Sequence, residues 1–303
     1  KSRMTSPSLI FGSAFLAFGP TASFLFLIAY EKAQLIIVLT TSAFAFLISC
    51  LLAALFWNVF HFVGLEHPLL TILPGIFFQF ALRCGFVSLY HRVEEVIQTS
   101  IDRHEEEQTQ ESQNQNEQDS DQDLTESARL RLELNDWACG LAAGTGFGGM
   151  HAVMLYGTLL ASESGNLGTL YQPSCPAVPS LILSAVNTFM FSILDVLWML
   201  FTFFGMRRRA GIASVSSIRT SGIGSMLGNS KQSGNLALGI SVVSHAAAAI
   251  STLPNEFEGG CFISVPILAA IVVCTSIIFW VGISKIFLPA KQRRRVSGDA
   301  HRD

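Results

Sequence analysis

Asp195 sits in the stretch NTFMFSILDVLWMLFTFF (187–204), among Phe, Ile, Leu, Val and Met. A carboxylate there needs a partner or a neutralising proton. If the run crosses a bilayer, its insertion costs roughly 2.5–3.5 kcal/mol unless something offsets it. Two imidazoles, His151 and His245, lie in other apolar runs. With either, Asp195 can form an ion pair, a neutral hydrogen bond, a proton relay or the polar part of a subunit interface. Arg83 is a fourth ionisable group in an apolar run; it lies about eight residues from a run end, where snorkelling can satisfy it, and Gln79 one turn away can bond it. His61 lies near a run end and reads as interfacial.

The elements that position these groups follow from composition. Half of the 303 residues are hydrophobic and mean hydropathy is +0.46. Only 14% are charged, against about 25% in soluble domains. The charges are segregated between apolar runs at 8–30, 34–62, 68–90, 137–160, 178–206, 235–253 and 262–288. Each is long enough to span a membrane as a helix. The expected fold is all-α: one polytopic membrane domain over 1–303 with seven transmembrane helices. The first run is too long for a signal-peptide core and shows no small-residue cleavage site before Glu31, so it counts as a span.

Lys and Arg set the expected orientation. The loops GLEHP, 161–177 and 254–261 contain neither residue. Lys32, the loop 92–136, the run Arg207 to Arg209 and the tail 289–303 carry them. The N-terminus is therefore expected outside the cytosol and the C-terminus inside, with Lys1 and Arg3 dissenting. Cys175 and Cys261 then fall on the same non-cytosolic, oxidising side, where they are expected to pair. The cysteines form no CxxC and no zinc spacing with His, so no metal and no cofactor is expected.

The stretch HEEEQTQESQNQNEQDSDQD (104–123) has no apolar residue and is expected to be disordered. LTESARLRLELNDW (124–137) reads as a short helix, with Asp123 and Glu126 suited to a capping box. The Ser/Gly-rich segment within 207–234 reads as a flexible cytosolic linker.

Three spans carry informative faces. Gly140, Gly144 and Gly148 recur every four residues, as on a helix face made for close packing. His151 continues that stripe. Ser184, Thr188, Ser192 and Asp195 line one face of the fifth span; Ser241, His245, Ala248 and Thr252 line one face of the sixth. Counted from the cytosolic ends, His151, Asp195 and His245 lie about 14, 11 and 10 residues deep, roughly 15–21 Å at the helical rise. Asp195 is expected to pair with His245, with His151 as the second candidate.

Complete catalytic sets are missing. Asp195 is the one aspartate in a span, so an aspartyl dyad cannot form within this chain. RHEEE lacks the second His of HExxH, and the adjacent Ser244 and His245 point to different helix faces. The glycine run of span four follows no strand and is no phosphate loop.

FGSAFLAFGPTASFLFLI (11–28), with Phe11, Gly12, Ala17, Phe18, Gly19 and Pro20, resembles the first span of the anterior-pharynx-defective family, the seven-span scaffold subunit of γ-secretase. GLAAGTGFGG (140–149) is similar to that family's tandem glycines, and LALGISVVSHAAA (236–248) to its sixth span, with His245 in the place of a functional histidine. The triple arginine at 207–209 also matches. Two positions depart from the pattern. Asp195 stands before Trp198 where the family has histidine, and Phe80 follows Gln79 where it has Glu. The resemblance implies a divergent, non-catalytic scaffold whose intramembrane polar residues support assembly with presenilin. Further implied partners are nicastrin and the presenilin-enhancer subunit, with residence in endoplasmic reticulum, Golgi and plasma or endosomal membranes and a part in Notch-type processing. Asp195→His, restoring the usual residue, is expected to be the mildest change there. No nucleic-acid partner is expected. The rival reading is a small-solute transporter or seven-span receptor, against which stands the lack of paired repeats.

Overall fold

The computed structural model describes residues 7–31, 34–64, 67–112, 136–164, 169–210 and 231–282. The helices are α1 (Pro7–Glu31), α2 (Gln34–Phe62), α3 (Pro68–Ser112), α4 (Asp136–Ala152), α5 (Thr158–Ser164), α6 (Ser180–Arg209), α7 (Lys231–Ile250) and α8 (Cys261–Gly282). A π-helical segment, Val153–Gly157, joins α4 to α5, so the two form one continuous span. Seven helical stretches are long and apolar enough to cross a membrane: Pro7–Ile28, Gln34–Phe62, Ile72–Ile97, Asp136–Glu163, Ser180–Arg209, Lys231–Glu256 and Cys261–Gly282. The protein is a polytopic all-α membrane protein.

The bundle is organised around α6. Of its apolar window 83% is buried, against 11% for the first span, so the other helices wrap α6 while α1 faces lipid. Its polar stripe, Thr188, Ser192 and Asp195 with Thr202, is buried along with its apolar faces, as polar groups in a membrane helix require. One core cluster joins Ala142, Ala143 and Phe147 of α4 with Phe46 of α2 and Met199 and Phe203 of α6. A second packs Leu200, Phe201 and Phe204 of α6 against Ala237 of α7 and Phe279 of α8.

The acidic stretch differs from expectation over its first residues. The α3 backbone stays helical to Ser112, through HEEEQTQES. Extending a helix already nucleated in the membrane adds a hydrogen bond per residue with no new nucleation cost. Glu and Gln are good helix formers, and no Gly or Pro interrupts them here. The remainder of that stretch, the capping pair Asp123 and Glu126, helix residues 124–135, the linker 211–230, and Lys285 with the tail lie outside the described residues.

A small hairpin between the fourth and fifth spans, β1 (Tyr171–Gln172) against β2 (Cys175–Pro179), was not foreseen. It is pinned to the start of α8: Cys261 N–H donates to Ser174 O (3.1 Å) and Gly259 N–H to Pro173 O (3.3 Å). Gly259 has φ +74°, a conformation that suits glycine. A disulfide joins Cys175 to Cys261, 86 residues apart.

Candidate intramembrane polar site

The glycine face of α4 is what allows the polar residues to meet. A Cβ on Gly140 would come 2.9 Å from Leu200 Cδ2, one on Gly144 2.7 Å from Val196 Cα, and one on Gly148 3.0 Å from Ser192 O and 3.3 Å from Asp195 Cβ. The three glycines thus climb α6 turn by turn, with backbone approaching backbone as small-residue stripes permit. At the top of this seam His151, three residues past Gly148, reaches Asp195: Nδ1–H donates to Oδ2 at 2.7 Å. Gly146 lies outside the four-residue glycine repeat and on another face of α4. A Cβ there would overlap Leu39 O and Ser42 Oγ of α2, and Ser42 Oγ–H donates to Ala143 O (2.8 Å).

The partner of Asp195 differs from the expected one. Arg83 of α3 donates from Nη2 to Asp195 Oδ1, and both side chains are 0% exposed. His245 of α7 contacts Arg83, with Nδ1 3.4 Å from Nη1. An arginine can only donate, so this contact uses a lone pair on the imidazole. The chain of contacts is therefore His151–Asp195–Arg83–His245, and it ties four helices together. Asp195 is not paired directly with His245, and Arg83 does not snorkel. Arg83 does not lie near the end of its apolar stretch: that stretch continues to Ile97, 14 residues past it, rather than ending near Tyr90. The signal was present: with Lys285 near a run end, Arg83 and Asp195 are the two deep formal charges, and opposite charges in lipid pair. The expected bond to Gln79 Oε1 is not made, for that oxygen is buried without a hydrogen-bond partner, as is Arg83 Nε.

Aromatic rings wall the cluster. The Arg83 guanidinium lies 4.5 Å from the centroid of Phe147 and 5.0 Å from that of Trp198, favourable cation–π geometry. Trp198 also sits 4.3 Å from the His245 ring and donates from Nε1 to Ser244 Oγ (2.8 Å). Phe46 and Phe191 flank His151. Ser192 Oγ–H donates to Gly148 O (3.4 Å), Ser184 Oγ–H to Leu155 O of the π-helical segment (3.3 Å), while Thr188 Oγ1 and Ser241 Oγ are buried without partners. Ser241, His245 and Ala248 are all buried on one face of α7. Both Asp195 oxygens are committed, one to a guanidinium and one to an imidazole. The arrangement suits structural charge neutralisation in a dry site.

The first-span residues lie elsewhere. Phe18 packs edge-on against Tyr156 (5.7 Å), whose hydroxyl lies 2.7 Å from Ser13 Oγ. Gly19 and Pro20 border an apolar groove of about 350 Å³ between α1 and α6, with Phe15, Phe189 and Ile193. His61 stacks on Trp57 near the end of α2.

A second charged cluster, unforeseen beyond the orientation signal of its arginine, closes the other end of the bundle. Arg207 of α6 donates from Nη2 to Glu94 Oε2 of α3 (2.6 Å), and its Nε lies against Asp136 Oδ2 of α4. His91, one turn before Glu94, completes the group.

The chain matches the family described as Aph-1 protein over residues 8–285. It is similar to the gamma-secretase subunit APH1-like of Arabidopsis thaliana, with 26% identity over 262 residues that cover 85% of each chain. That match takes in all seven spans, the glycine seam and the buried charge cluster: the chain belongs to the Aph-1 family.

Proposed function

We propose that this chain is a non-catalytic scaffold subunit of a γ-secretase-like intramembrane aspartyl protease complex, partnered by presenilin, nicastrin and the presenilin-enhancer subunit. The observation that carries the reading is the buried Arg83–Asp195–His151 unit. An intramembrane aspartyl protease needs two carboxylates sharing a water. Here a single carboxylate has both oxygens committed to cations or donors, as suits a brace between helices. The two departures from the family pattern fit together on this reading: an acid is absent at Phe80 on α3 and present at Asp195 on α6, so Arg83 keeps a buried carboxylate partner.

The expected orientation belongs to the same proposal. The Cys175–Cys261 disulfide supports an oxidising, non-cytosolic side for the hairpin end, since such bonds persist outside reducing compartments. The arginine-bearing end of α6 then faces the cytosol, and the complex works in the membranes of the secretory and endosomal system.

Purification of the tagged chain from its own cells in mild detergent should bring down the three partner subunits. Cells lacking it should accumulate uncleaved stubs of single-span proteins. Full stub cleavage without the chain, or proteolysis by the purified chain alone, would overturn the reading.

A further inference from the structure

We propose that His91, Glu94 and Asp136 form a binding site for a divalent transition-metal cation, with Arg207 as a built-in cation that the metal displaces. His91 and Glu94 are three residues apart on α3, which sets them one above the other on a helix face. Asp136, the first residue of α4, comes to them from a neighbouring helix. One ligand atom from each of the three lies within 4.8 Å of the other two.

Two further observations separate this group from an ordinary ion pair. His91 Nε2 is buried and has no hydrogen-bond partner, so Arg207 does not satisfy the cluster. One guanidinium also faces two carboxylates, which leaves one formal negative charge in excess with a neutral imidazole. A divalent ion would supply that charge and a partner for Nε2. The imidazole selects the class: oxygen-only sets suit Mg²⁺ and Ca²⁺, whereas mixed imidazole and carboxylate ligands suit Zn²⁺ and its neighbours. Water can reach the group, because the side chains of Arg207, Glu94 and Asp136 are 19%, 25% and 13% exposed. With three protein ligands the fourth position stays open for water. Metal in this site would join α3 to α4 directly and release Arg207 from both, so it links cation supply to the packing of three helices.

The test is a Zn²⁺ titration of the full chain in lipid nanodiscs by calorimetry, with Co²⁺ absorption as the reporter of ligand geometry and Mg²⁺ as the control. One Zn²⁺ per chain is expected, with no response to Mg²⁺. His91→Ala should weaken binding by more than the roughly 10–100-fold that loss of an outer-shell partner costs. Arg207→Gln should tighten it. His104→Ala removes the imidazole of the HEEE stretch and should change nothing. Absence of saturable Zn²⁺ binding, binding that survives His91→Ala, or binding lost in His104→Ala would each overturn the site. Unchanged affinity in Arg207→Gln would overturn the displacement. Should Arg207→Gln fail to insert, the comparison of His91→Ala with His104→Ala decides alone.

Discussion

Arg83 and Asp195, 112 residues apart in sequence, form an ion pair in which neither side chain is exposed. Neither charge is tolerable there alone. Removing one partner of such a pair strands the other, at about 3–5 kcal/mol. Arg83→Met and Asp195→Leu should each lower the unfolding temperature in detergent strongly, and the double substitution should recover much of the loss. Strict additivity of the two losses would sink the pairing.

Asp195→His reads differently against this geometry than it does in the sequence. The family-like residue would place an imidazole beside a buried guanidinium and remove the carboxylate that neutralises it. Stability close to that of Asp195→Leu is expected, not a mild effect, unless Phe80→Glu is introduced with it. Double-mutant cycles should also couple Asp195 to His151, in contact at 2.7 Å, more strongly than to His245, which reaches it through Arg83.

The glycine seam predicts a ranking. Gly140→Ala meets the end of a leucine side chain, which can move, whereas Gly144→Ala meets the Val196 backbone, which cannot. Gly146→Ala overlaps the Leu39 carbonyl of α2. Overpacking of this kind costs roughly 1–3 kcal/mol. Thermal unfolding should show Gly140→Ala mildest and Gly144→Ala and Gly146→Ala more severe. Gly144→Leu should insert into membranes yet fail to enter an assembled complex. Equal effects at Gly140 and Gly144 would contradict the seam.

Reduction of Cys175–Cys261 frees a hairpin from the start of α8 across 86 residues of chain. Loss of a cross-link over a loop of that size costs roughly 2–4 kcal/mol. Cys261→Ala and thiol treatment of the parent should lower the unfolding temperature alike, and the treatment should do nothing further to the variant. Free thiols at both positions in unreduced protein would exclude the bond.

The proposed orientation is checked by glycosylation. An acceptor engineered into 254–261 should be modified in microsomes, and one in 211–230 should not. The reverse pattern would invert the topology.

Seven spans, the glycine stripe and the polar faces of α6 and α7 are local properties, and the sequence alone determines them. Twenty-odd apolar residues must become a helix in lipid, because every backbone group has to be bonded within its own segment. Helical periodicity then fixes which residues share a face. Asp195, His151 and His245 could thus be singled out, and brought to one depth, from spacing alone.

Which of those faces touch is a property of the bundle. The sequence offered Asp195 two imidazoles at similar depth and placed Arg83 too near a helix end, since the limit of the apolar stretch in α3 is invisible where a polar helix simply continues. Packing α4 backbone-close on α6 sets His151 against Asp195, and the packing of α3 sets Arg83 between Asp195 and His245. Gly146, Arg207 with its two carboxylates, and the hairpin held to α8 also emerge only there. Each depends on a neighbour far along the chain, and helical periodicity carries no information about which neighbour that is.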